Sequence, residues 1–80
     1  MDEYFKECVK DFKVPEGWEN CSYHHDACPS FMYKNYQIFV NHYNPKKREC
    51  KNAKRFCIFN DDYEELLYTD NFNEVLSFLK

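Results

Sequence analysis

The chain has 80 residues, with eight Phe, seven Tyr, one Trp, a single Gly and a formal charge of −3. That length argues for one domain and leaves little room for a substrate cleft of roughly 300–1,000 Å³. Rings that each remove roughly 150–250 Å² from water can build a core without disulfide or metal staples. No segment reaches the roughly 18 uninterrupted apolar residues of a membrane helix.

The N-terminal stretch MDEYFKECVKDF is charged and amphipathic, with no apolar signal region, so an intracellular, cytoplasmic protein is expected. Phe5, Cys8, Val9 and Phe12 recur at helical spacing, which predicts a short helix over Asp2–Phe12 with Asp2 as N-cap. Val14-Pro15-Glu16-Gly17 ends it, since Pro lacks a helical donor. Trp18–Ser30 shows neither period and reads as an ordered loop, pinned by Trp18 and Tyr23.

From Phe31 to Tyr43 the pattern alternates, with Tyr36, Ile38 and Val40 on one face and Gln37, Phe39 and Asn41 on the other. Lys34-Asn35 divides it into two strands, Phe31–Tyr33 and Tyr36–His42. Asn44-Pro45 stops this ribbon. Lys54–Asn60 is apolar on both faces, the signature of a central strand covered twice. Asn60-Asp61-Asp62 turns the chain and Glu65–Thr69 returns as its hairpin partner. Asn71-Phe72-Asn73-Glu74 matches a capping box, and Phe72, Val75, Leu76 and Leu79 then share one helical face. The expected fold is α+β: an N-terminal helix, a three- or four-stranded antiparallel sheet and a C-terminal helix packed on it.

Charge is segregated along the chain. Lys46, Lys47, Arg48, Lys51, Lys54 and Arg55 cluster with one acid, Glu49. Beside an aromatic sheet, such a segment suits single-stranded nucleic acid, where rings stack on bases and cations track phosphates. Against this stand the acidic balance of the chain and the missing RNP1-type consensus. Asp61, Asp62, Glu64, Glu65, Asp70 and Glu74 follow with no base among them, accompanied by Tyr63 and Tyr68. Aromatic anchors rimmed by charge fit a basic protein groove, which makes this stretch the expected partner-binding surface.

The five cysteines, Cys8, Cys21, Cys28, Cys50 and Cys57, are expected to be thiols inside a cell. Cys21, Cys28 and one of His24 and His25 are the candidate zinc ligands, with Cys8, His42, Cys50 or Cys57 as a fourth. Their wide spacing favours buried thiols and a surface histidine pair instead, so no cofactor is expected. A cysteine–histidine nucleophile needs an oxyanion hole as well, and no motif supplies one. A non-enzymatic protein follows, with a small zinc-stabilised module touching nucleic acid through residues 46–55 as the alternative.

Pro15-Glu16-Gly17-Trp18, then Asp26 with Pro29-Ser30-Phe31, then Thr69-Asp70-Asn71-Phe72-Asn73-Glu74-Val75-Leu76 resembles short accessory proteins of phages and mobile elements. The resemblance implies a cytoplasmic sheet-plus-helix domain that acts on a host component. Anti-CRISPR inhibitors are the best-known class of that kind, and many occlude the nucleic-acid channel of a host enzyme. The implied partner is therefore a host protein that handles nucleic acid. No catalytic residues carry over.

Overall fold

The alternation at Tyr36–Val40 sorts its side chains onto two faces of a sheet. Ile38 and Val40 are fully buried, whereas Gln37 and Phe39, which alternate with them, are half-buried. The structure, a computed structural model, describes residues 3–22, 28–48 and 52–80. It contains helix α1 (Glu3–Cys8), strands β1 (Glu19–Asn20), β2 (Ser30–Tyr33), β3 (Tyr36–Val40), β4 (Phe56–Phe59) and β5 (Glu65–Thr69), and helix α2 (Phe72–Leu79). The strands form one antiparallel sheet in chain order.

The sheet thus has five strands, one more than the upper expectation. The additional strand is β1, which lies inside the stretch read from sequence as a loop. Glu19 pairs with Met32 and Asn20 with Phe31. Two residues are too few to show any period, and the neighbouring Trp18 sets the register. Its ring is buried 5.8 Å from that of Phe31, as expected of a pinning residue. Tyr23, the other expected pin, lies outside the described residues.

α1 is shorter than the Asp2–Phe12 span that its apolar stripe suggested. After Cys8 the backbone tightens, with Val9 and Lys10 donating to the carbonyls three residues back. Phe12 leaves the helix and inserts between the sheet and α2, 5.9 Å from Phe56 and 4.7 Å from Phe72. The proposed N-cap, Asp2, lies outside the described residues.

α2 packs on β4 and β5. Asn71 caps it as expected, its Oδ1 accepting from the Asn73 N–H at 2.8 Å. Val75 and Leu79 are buried against the sheet, whereas Leu76, assigned to the same face, stays partly exposed. Phe31, Ile38, Phe56 and Ile58 form the sheet side of this core.

β4 is an interior strand, paired on both sides by β3 and β5, and among the described residues a helix covers only one of its faces. Phe56 and Ile58 meet α2 and the N-terminal segment, while Cys57 and Phe59 face the other way. No described helix lies over that second face. Beyond Ile58 the pairing with β5 slips by one residue, so that Phe59 opposes Glu65 and Leu66 bulges out.

Candidate protein-binding surfaces

The β4–β5 tip is a built loop. Asn60 Oδ1 accepts from the backbone N–H groups of Asp62 and Glu64, both at 2.9 Å, and its Nδ2 reaches Glu64 Oε1 at 3.3 Å. Tyr63 lies at the apex with φ of 61°, a left-handed conformation that a bulky side chain rarely adopts. Its ring is 79% exposed, the most exposed of the large hydrophobics in the described residues. Asp61, Asp62 and Glu64 surround it, all exposed. Across a shallow cleft of about 350 Å³ stand Lys34, Asn35 and Tyr36, from the β2–β3 turn.

The expected acidic surface divides in two. Asp61, Asp62, Glu64 and Glu65 gather at the tip, whereas Asp70 and Glu74 lie at the far end of β5, about 14–17 Å away at roughly 3.4 Å per residue. Asp70 is committed elsewhere: it accepts from the Arg55 N–H at 2.9 Å and pairs with Arg48 at 3.6 Å. Tyr68 points from β5 onto the helix-free face and is 40% exposed, its hydroxyl accepting from the Lys54 N–H at 2.9 Å.

The basic segment is less available than its composition suggested. Arg48 is buried, donating to the carbonyls of His42 and Ala53. Arg55 is buried too, bonded to Asp11 and to the carbonyls of Cys8 and Asn41, with its guanidinium over the rings of Phe12 and Phe56. Two of the cations that a phosphate would need therefore hold loops together. Lys47 meets Glu7 at 3.0 Å, while Lys46 and Lys54 stand in solvent. Lys51 lies outside the described residues. Nothing local in the sequence marks Arg55, whose carboxylate partner Asp11 lies 44 residues away, and Arg48 is held by backbone carbonyls of its own loop, which no side-chain pattern announces.

His42 is fully buried, stacked on Tyr4, with the tilted ring of Tyr43 4.3 Å away. Its Nδ1 accepts from the Asn44 N–H at 2.9 Å, so the proton sits on Nε2 and is donated to Glu7 Oε1 at 2.8 Å. That commitment serves the loop rather than a metal. Cys21 Sγ lies 3.3 Å from Ser30 Oγ, and Cys28 is buried. Among the described residues, no three His, Cys, Asp or Glu side chains converge on a point a metal ion could occupy. The candidate ligands His24, His25 and Cys50 lie outside the described residues.

The environments of Cys8 and Cys57 do not activate their thiols. Burial pushes Cys8 up, and burial followed by the neighbouring Glu65 carboxylate pushes Cys57 up to about 12. A nucleophilic cysteine needs the reverse shift.

The helix-free face joins Phe39, which alternation sets opposite Ile38 and Val40, with Phe59, which the sequence pattern expects to be covered. Phe39 and Phe59 meet edge to face, 5.6 Å apart with planes at 90°. Met32, on β2, is 37% exposed, and Leu66, at the bulge, 39%. Among the described residues, no helix is long and apolar enough to cross a membrane. Comparison with known protein families, curated proteins and solved structures finds no match to the chain.

Proposed function

We propose that the chain is a non-catalytic protein-binding domain whose β4–β5 tip engages a basic groove on its partner. The observation that carries this reading is Tyr63: a largely exposed aromatic residue at φ 61°, flanked in the chain by the exposed Asp61, Asp62 and Glu64 on a hydrogen-bonded loop. A rigid aromatic anchor loses little entropy on docking, and surrounding carboxylates steer it toward positive charge. Thiols held in their protonated form by burial support a binding role over a nucleophilic one.

Grooves with dense Lys and Arg are those in which enzymes hold nucleic acid. We therefore read the partner as a host nucleic-acid enzyme that the chain inhibits or modulates, in the manner of phage-encoded anti-CRISPR proteins. The resemblance of residues 15–18, Asp26 with 29–31, and 69–76 to accessory proteins of mobile elements supports that choice.

The test is affinity capture from host lysate with the wild-type chain and with a tip variant, Asp61→Lys, Asp62→Lys and Tyr63→Ala together. A nucleic-acid enzyme retained by the wild type and lost at least tenfold by the variant is the expected result. Equal recovery on both would remove the tip from the interface.

A further inference from the structure

The helix-free face of the sheet has an order that its apolar content alone does not convey. One row runs across all five strands, Glu19–Met32–Gln37–Phe59–Glu65, each residue opposite the next. Directly paired residues project to the same face. The Cys57 thiol donating to Glu65 Oε1 at 3.6 Å confirms the side for Glu65, and Gln37 reaching Ser30 Oγ at 3.3 Å does so for Gln37. An exposed carboxylate therefore closes each end of a row in which Met32 and Phe59 flank the hydrogen-bonded Gln37. Four strand spacings of roughly 4.8 Å separate the two carboxylates by about 19 Å. Behind this row lies a second, Ser30–Phe39–Cys57–Tyr68, which widens the apolar strip.

Charge selects the occupant. A second copy laid face to face would bring four carboxylates together around a drying core, which like charges oppose. Nucleic acid would stack on Phe39, Phe59 and Tyr68 but meet Glu19 and Glu65 instead of cations. Arg48 and Arg55, the nearby guanidiniums, are held inside the fold. The opposite face of the same sheet displays what this architecture accepts, since α2 lies there with an apolar stripe against β4 and β5.

We propose that this face docks an amphipathic helix of a partner protein, its apolar stripe over Met32 and Phe59 and a Lys or Arg near each end on Glu19 and Glu65. A helix of about 13 residues spans the 19 Å between the carboxylates. The inference rests on the reading of the chain as a protein-binding domain and adds a second surface, continuous with the tip through Glu64 and Glu65.

The probe is a synthetic helical peptide of about 14 residues with Leu and Phe at i, i+3, i+4 and i+7 and lysines at both ends. Binding is read by NMR shift mapping. The expected result is shifts confined to Met32, Phe39, Phe59, Tyr68 and their neighbours, with affinity at least tenfold lower for Glu19→Lys/Glu65→Lys. Glu19→Lys alone, on a surface strand, gives a several-fold loss and guards against misfolding of the double variant. The same peptide ended in glutamates, and an oligothymidine, should not compete.

The proposal is overturned by any of four results. The lysine peptide does not bind, the double variant binds it equally, the shifts map to α2 or the tip, or the oligothymidine binds this face better. The tip variant of the preceding test should bind the peptide unchanged. Failure of the peptide thus leaves the tip reading standing, and failure of the tip in affinity capture leaves the peptide result to stand alone.

Discussion

Arg55 grips Asp11, 44 residues earlier in the chain, through both terminal nitrogens at 2.6 and 2.8 Å. The pair ties the tail of α1 to the start of β4 while the guanidinium covers Phe12 and Phe56. Arg55→Ala strands the Cys8 and Asn41 carbonyls and removes packing, and it should destabilise the fold by roughly 3 kcal/mol. Asp11 is half-exposed, so Asp11→Asn should lose only about 1 kcal/mol after solvent screening. Urea unfolding measures both. Equal losses would show that the ion pair, and not the burial of Arg55, dominates.

Acid should weaken the fold through a defined window. Hydrogen bonds from His42 and then Lys47 hold the Glu7 carboxyl at about 2, below its usual 4.5, and Arg55 lowers Asp11. A carboxyl depressed on folding stabilises the native state above its unfolded value. That contribution is complete above pH about 4.5 and is lost as pH falls through about 2. Circular dichroism during acid titration should show the decline in that interval, and Glu7→Gln should flatten it. An unaltered profile in Glu7→Gln would exclude Glu7 as the linked group.

Alkylation at pH 8 should separate the thiols by environment. Cys8 and Cys57 are buried and pushed toward the protonated form, whereas Cys21 is only partly covered. Native-state labelling followed by peptide mass spectrometry should find Cys21 modified first, with Cys57 reacting on the timescale of unfolding. Rapid labelling of Cys57 would mean that its strand opens far more readily than its neighbours.

Backbone strain at the tip offers a separate handle. Tyr63 at φ 61° and Lys34 at φ 55° both occupy left-handed conformations that cost an L-residue roughly 1–2 kcal/mol. Gly relieves this but loses more freedom on folding, so Tyr63→Gly and Lys34→Gly should each stabilise by roughly 0.5 kcal/mol. Only Tyr63→Gly should weaken partner capture. If Lys34→Gly weakens it equally, the contact extends across both hairpin turns.

The sequence made the sheet and α2 legible because local chemistry dictates them. Alternation at Tyr36–Val40 sorted its side chains correctly, and Asn71 announced its cap. β1 stayed hidden because two residues carry no period, and α1 was overextended because Phe12 keeps helical spacing after the helix has ended. The tip acids were grouped with Asp70 and Glu74 by proximity in the chain, although a whole strand separates them. Burial of Arg55 depends on Asn41 and Asp11, 14 and 44 residues away, which no local window contains, whereas Arg48 is buried by the nearby His42 and Ala53 carbonyls, which carry no side-chain signal. The helix-free face was split among five segments and became one surface only through register.

The ends of the sheet bear on how such a chain survives at high concentration. Polypeptides this rich in rings are prone to fibril growth when a long, straight outer strand can recruit another molecule. Here one margin is only two residues long and the other is kinked at Leu66 and flanked by Glu64 and Glu65. One margin is thus too short, and the other too interrupted and acidic, to offer the long straight template on which fibril growth depends.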